Sequence, residues 1–216
     1  MEQVRLHDIW ERYEDALEGD IDVAPDLYIF EEIVRPFYSP SRQPIAMCVG
    51  VMGEKSPRSL RAFHERCYGI PRQDTKVVGC NKRDFSGHEF LLPDYDFLMT
   101  GFQGDATHEF TWHMPFGEFD VNRWQYDLSL IRNPDLVSVD EWSAIFRRGM
   151  QYTGPDGVLV TIIRERDVRK YQNLLGQLKE HEIEPAFSGQ TGIKNPQDSF
   201  RENHHHTIGI FKSSQK

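Results

Sequence analysis

The sequence predicts an α/β fold with a doubly wound, mostly parallel seven-stranded sheet that ends in an antiparallel hairpin. Three observations carry this. Five short apolar runs alternate with helical stretches, and the runs are apolar on both faces, as strands buried between two layers must be. The last two strand-like runs follow each other with no helix between them. A parallel crossover needs a helix to bring the chain back, whereas two strands joined by a loop alone pair antiparallel.

Residues 1–43 read as a helical lead-in and 44–212 as the α/β core of a single domain spanning 1–216. Leu6, Ile9, Trp10, Tyr13 and Leu17 recur at helical spacing, and Leu27, Phe30, Ile33, Val34 and Phe37 repeat the pattern before Pro40. The five runs occupy 45–50, 76–80, 97–102, 126–131 and 157–163. After the first, Ser56-Pro57 offers an N-cap followed by proline at the first helical position, with Leu60, Phe63 and Cys67 facing inward. Ser138-Val139-Asp140-Glu141 is a capping box that opens a helix carrying Trp142, Ile145, Phe146 and Met150. Val168, Tyr171, Leu174, Leu175 and Leu178 mark the next helix. In the tail, 183–187 and 207–211 read as the hairpin strands, separated by a loop rich in turn formers.

The 25 basic and 34 acidic side chains leave a formal charge of −9, and 38% hydrophobic residues are enough for a sizeable core. That charge opposes a phosphate backbone, and no stripe of Lys and Arg offsets it, so nucleic acid is not an expected partner and a small-molecule substrate is. Three cysteines (Cys48, Cys67, Cys80) without a C-x-x-C pair suit free thiols in a reducing compartment. With no signal peptide or apolar span, the expected location is cytoplasmic.

In such a sheet a ligand binds beyond the carboxyl ends of the strands, where strand order reverses. Four loops qualify: Gly50-Val51-Met52-Gly53-Glu54-Lys55-Ser56, Asn81-Lys82-Arg83, Gly104-Asp105-Ala106 and Arg132-Asn133-Pro134-Asp135. With these loops the layout resembles the class I S-adenosylmethionine-dependent methyltransferases, whose Rossmann-like sheet ends in an antiparallel hairpin. The resemblance covers about residues 40–212. Phe102-Gln103-Gly104-Asp105-Ala106 is similar to the family segment in which an acid receives the adenine amino group and the next amide donates to the ring. Residues 126–136 are similar to the strand and loop that face the transferred methyl group. The resemblance implies S-adenosylmethionine as cofactor, bound by Gly50, Gly53, Asn81, Asp105, Ala106 and Arg132. It also implies Asn133 and Asp135 as substrate-facing candidates, His108 or His113 as a source of a base, and Tyr38 as a residue within reach of the cofactor. No residue is assigned as catalytic and no metal is expected.

The chain departs from the family in two places. Asn81 stands where the family has an acid on the ribose hydroxyls, and an amide is a weaker acceptor for them than a carboxylate. The family's acid and three alternating glycines align with Cys48, Gly50, Met52 and Glu54, so only the first glycine keeps its register. Two readings follow: a methyltransferase acting on an unidentified acceptor, or a binding or regulatory protein on the same fold without activity.

Other chemistries fit less well. Glu54 precedes Lys55-Ser56 where a phosphate-binding loop needs glycine, and G-x-G-x-x-G is absent. His204 and His206 share a strand face but have no third ligand nearby in sequence, and His108 and His113 miss helical metal spacing by one residue.

Overall fold

Residues that alternate along a strand point to opposite faces, so a strand apolar throughout must be covered on both sides. The computed structural model describes residues 4–17, 24–50, 55–81, 99–103, 105–118, 125–132, 138–194 and 204–212. In chain order its elements are β1 (Val4–Arg5), α1 (Leu6–Leu17), α2 (Ala24–Ile29), β2 (Ile45–Val49), α3 (Lys55–Tyr68), β3 (Lys76–Asn81), β4 (Met99–Gln103) and α4 (Glu109–Glu118). They continue with β5 (Tyr126–Arg132), α5 (Val139–Tyr152), β6 (Thr153–Arg164), α6 (Val168–Lys179), β7 (Phe187–Lys194) and β8 (His204–Lys212).

The strands form one sheet in the order β1-β7-β8-β6-β5-β2-β3-β4. β2 to β6 pair in parallel. β8 runs antiparallel to both β6 and β7, so the tail forms the expected hairpin inside the sheet. From β2 the chain steps outward through β3 to β4, then returns to place β5 on the other side of β2. Strand order therefore reverses between β2 and β5.

All five residues of β2 are buried, and they divide by face. Ala46 and Cys48 join Leu128, Leu130, Val158 and Val160 in a core closed by Ile9 and Tyr13 of α1, Leu27 of α2, and Leu60 and Phe63 of α3. Ile45, Met47 and Val49 join Val78, Ile131 and Leu159 in a second core, closed by Trp112 of α4, Trp142 and Phe146 of α5, and Tyr171 and Leu174 of α6. The Ser138 capping box forms as expected: its hydroxyl accepts from the Glu141 amide, and the Glu141 carboxylate accepts from the Ser138 amide. Asp127 ties down the start of β2 by accepting from the Ser41 amide at 3.1 Å and the Ile45 amide at 2.7 Å.

Several expectations are corrected. Among the described residues the sheet has eight strands, not seven, because Val4 and Arg5 pair in parallel with Ile193 and Lys194. The hairpin strand expected at 183–187 instead runs Phe187–Lys194, and Ile183 packs on the core beneath the helices. The second lead-in helix is broken: α2 passes into a π-helical turn at Phe30–Val34 and a 3-10 turn at Arg35–Phe37, where Pro36 provides no amide. Ser56 is not the N-cap of α3, which begins at Lys55, and its hydroxyl is used elsewhere.

Candidate functional site

The carboxyl ends of β2, β3, β4 and β5 lie side by side at the edge where strand order reverses. Gly50 leaves β2 with φ of 78°, in the left-handed region that glycine enters without strain. Its amide donates to the Cys80 carbonyl at 2.9 Å. A Cβ at this position would lie 2.3 Å from the Arg132 carbonyl oxygen, so the two central strand ends approach more closely than any other residue permits. Asn81 closes β3 in register with Gln103 of β4.

Asp105 follows β4 by two residues and turns the chain into α4. Its Oδ1 accepts from the Thr107 amide at 3.0 Å and from the Thr107 hydroxyl at 2.7 Å. Its carbonyl accepts from the Thr111 hydroxyl at 2.7 Å. The carboxylate is thereby held in one orientation by an Asx turn. Ala106 is buried, and its carbonyl accepts from the Trp112 indole at 2.9 Å.

Arg132 ends β5, and its environment involves a residue for which the sequence gives no sign of a site. Asp26, in the first turn of α2, is 1% exposed. Arg132 Nη1 forms a short ion pair with Asp26 Oδ2 and donates to Ser56 Oγ at 2.8 Å. The Ser56 hydroxyl donates to the same Asp26 Oδ2 at 2.9 Å. Asp26 Oδ1 is buried and has no hydrogen-bond partner among the described residues. Beneath this group Cys48 is fully buried, and its thiol pKa is pushed up by burial and by Asp26, against the opposing pull of Arg132. Cys48 is therefore a neutral thiol. The only sequence signal for Asp26 is an acid in the first turn of a short helix, which nothing local separates from ordinary helix-end chemistry.

The remaining candidates fall elsewhere. Gly53, Asn133 and Asp135 lie outside the described residues. His108 and His113 are exposed at and within α4, with the His113 ring 6.2 Å from that of Tyr152. Tyr38 does not face the strand-end edge. It is buried, its hydroxyl shares a 2.9 Å hydrogen bond with His64 Nε2, and it stacks on Phe63. His64 Nδ1 pairs with the Thr75 hydroxyl at 3.2 Å, and burial lowers the His64 pKa to about 4 against the opposing influence of Asp127. The group Tyr38, His64 and Thr75 thus belongs to the packing of α3.

No protein-family model matches the sequence, and no curated protein matches it. Solved structures do match in shape. A precorrin-6y C5,15-methyltransferase from Geobacter metallireducens GS-15 is 12% identical, with TM-score 0.55 over 89% of this chain and 87% of that one. The chain has the class I methyltransferase fold. A protein described as an rRNA methylase from Clostridium thermocellum shares it at 8% identity, with TM-score 0.52 over 89% of this chain and 95% of that one. Another, described as an RNA methyltransferase from Pyrococcus horikoshii, does so at 13% identity, TM-score 0.52 and 88% and 83% coverage. These two correct the expectation that nucleic acid is not a partner: among proteins of this fold are ones described as an rRNA methylase and an RNA methyltransferase, so nucleic acid stays among the acceptors to be tested. Among the described residues no helix is long and apolar enough to cross a membrane.

Proposed function

We propose that this protein binds S-adenosylmethionine across the carboxyl ends of β2, β3 and β4 and directs its methyl group to an acceptor. The observation that carries this reading is the edge itself: Gly50 and Arg132 stand at the ends of the two strands that flank the order reversal, with Asn81 at the end of the neighbouring β3 and Asp105 and Ala106 just past the end of β4. Gly50 supports the reading by letting the end of β2 press against the Arg132 carbonyl, which brings the ends of β2 and β5 together at this edge. The bound cofactor would supply an electrophilic sulfonium methyl, so that a bond from acceptor to carbon forms as the carbon–sulfur bond breaks and sulfur becomes a neutral thioether. What the chain contributes is alignment.

In this reading Asp105 receives the adenine amino group, and the Ala106 amide donates to the ring. The Thr107 bonds hold the Asp105 carboxylate in place beforehand. The same reading assigns Asn81 to the ribose hydroxyls, Gly50 and Gly53 to the amino-acid end, and Asn133 and Asp135 to the acceptor. The alternative, a binding protein of the same fold without activity, is favoured by Asn81 and Cys48 standing where carboxylates would bind more strongly.

Calorimetric titration with S-adenosylmethionine and S-adenosylhomocysteine, alongside Asp105→Ala, tests the proposal. Micromolar binding that is lost in the variant supports it and leads to an acceptor screen that includes RNA. Absence of heat and of thermal stabilisation at millimolar ligand overturns it.

A further inference from the structure

The four strands that reach the carboxyl edge on the β5 side of the order reversal each end on a cation: Arg132 in β5, Arg164 in β6, Lys194 in β7 and Arg5 in β1. β8, which runs the other way between β6 and β7, opens at the same edge on His204, His205 and His206. On the other side of the reversal β2, β3 and β4 end on Val49, Asn81 and Gln103, none of them charged. Lys and Arg make up 25 of the 216 residues, so composition alone does not put one at four ends out of four. These positions are far apart in the chain, so the sequence shows no stripe and the topology makes one. The segment after β6 adds to it. Arg164 and Arg166 are exposed, and α6 opens on Arg169 and Lys170 with no acid in its first turn, although the partial positive charge of a helix start favours acids there. Of the acids nearby, Asp26 is paired with Arg132, Asp167 lies 3.5 Å from Arg166, and Glu165 is exposed. Asp140 and Glu141, which open α5, accept from Gln177 and from the Ser138 amide. Among the described residues positive charge therefore outweighs negative along this half of the edge, in a chain whose formal charge is −9.

We propose that this row of strand ends is a docking surface for single-stranded RNA. Neighbouring strands lie about 4.8 Å apart, so from β5 across β6, β8 and β7 to β1 the row spans ~19 Å. It is also stepped. Arg132 pairs with Ile162 of β6, two residues short of Arg164, and Lys194 lies beyond Ile193, which pairs with His204 at the start of β8. A flexible backbone with a phosphate at every nucleotide can follow such a line, whereas a stiff duplex cannot bend to each step and an acidic peptide carries charge only where its sequence has an acid. RNA is the nucleic acid that offers unpaired stretches, and the planar fork of an arginine suits phosphate. Arg132 ends beside β2, so the row leads toward Gly50 and the donor edge. The proposal stands on charge and topology and does not depend on the methyl-donor reading.

The test is fluorescence anisotropy of the full chain, without methyl donor, against a short labelled single-stranded RNA. Wild-type protein is expected to bind in about 50 mM salt and to weaken as salt rises, each phosphate contact contributing ~0.7 to the log–log slope. Arg164→Gln together with Arg166→Gln should weaken binding about tenfold or more and reduce the slope by about 1.4. Lys76→Gln together with Lys212→Gln, at the start of β3 and the end of β8 on the opposite edge, removes the same charge and should leave affinity within about twofold. If the arginine pair does not fold, Lys194→Gln on a separate strand gives the comparison, with a slope smaller by about 0.7. No RNA binding by wild-type protein, equal weakening in the two paired variants, or equal or tighter binding of polyglutamate or of duplex RNA overturns the proposal. Because no donor is present, such a failure leaves the methyl-donor reading in place, and a failed titration with S-adenosylhomocysteine leaves this one in place.

Discussion

Gly50 answers two constraints at once: a left-handed φ and a carbonyl where its Cβ would be. Gly50→Ala is expected to destabilise the fold by about 2 kcal/mol or more, read as a lower denaturant midpoint at unchanged slope, because neither the strain nor the contact can relax independently. His64 gives a pH signature. Its pKa falls from 6.5 to about 4 in the folded state because it is buried, so between those values the unfolded chain holds a proton that the folded one does not. Stability therefore drops as pH falls through that window. Melting curves from pH 7 to 4 should show the decline, and His64→Gln, which keeps hydrogen-bonding groups toward Tyr38 and Thr75, should flatten it.

Elements differ in how far a sequence discloses them. The central strands are legible because both their faces are apolar, and α5 because Ser138 and Glu141 are a local cap; Ser138→Ala should cost about 1 kcal/mol of stability by thermal denaturation. β7 escapes a sequence reading because its residues, Phe187-Ser188-Gly189-Gln190-Thr191-Gly192, look like a loop until β8 pairs with them, whereas Ile183 attracts attention by hydrophobicity that serves a helix contact. β1 is two residues long and exists only through its partner. At the edge, Gly50 and Arg132 can be placed because strand ends define them. Asp26 cannot, since its partners Ser56 and Arg132 are 30 and 106 residues away. Gly176 lies inside α6 with nothing within 4 Å of the point a Cβ would occupy, so it has no such duty. Gly176→Ala should stabilise the protein by about 0.5–1 kcal/mol, visible as a raised melting temperature.

At the scale of the whole molecule, a ligand that binds only the folded state must stabilise it. S-adenosylhomocysteine at about a hundred times its Kd should add ~2.7 kcal/mol, a rise of roughly 5–10 °C in Tm for a chain of this size, and scanning calorimetry with and without ligand checks it. The pairing of Val4 with Ile193 sets an order on assembly. During synthesis β2, β3 and β5 can find one another while β7 is still unmade, but β1 must wait until almost the entire sheet has left the ribosome. The lead-in that carries Asp26 is fastened at one end to one of the last strands to be made. A nascent chain thus acquires its central sheet before the fastening of the lead-in through β1 is complete.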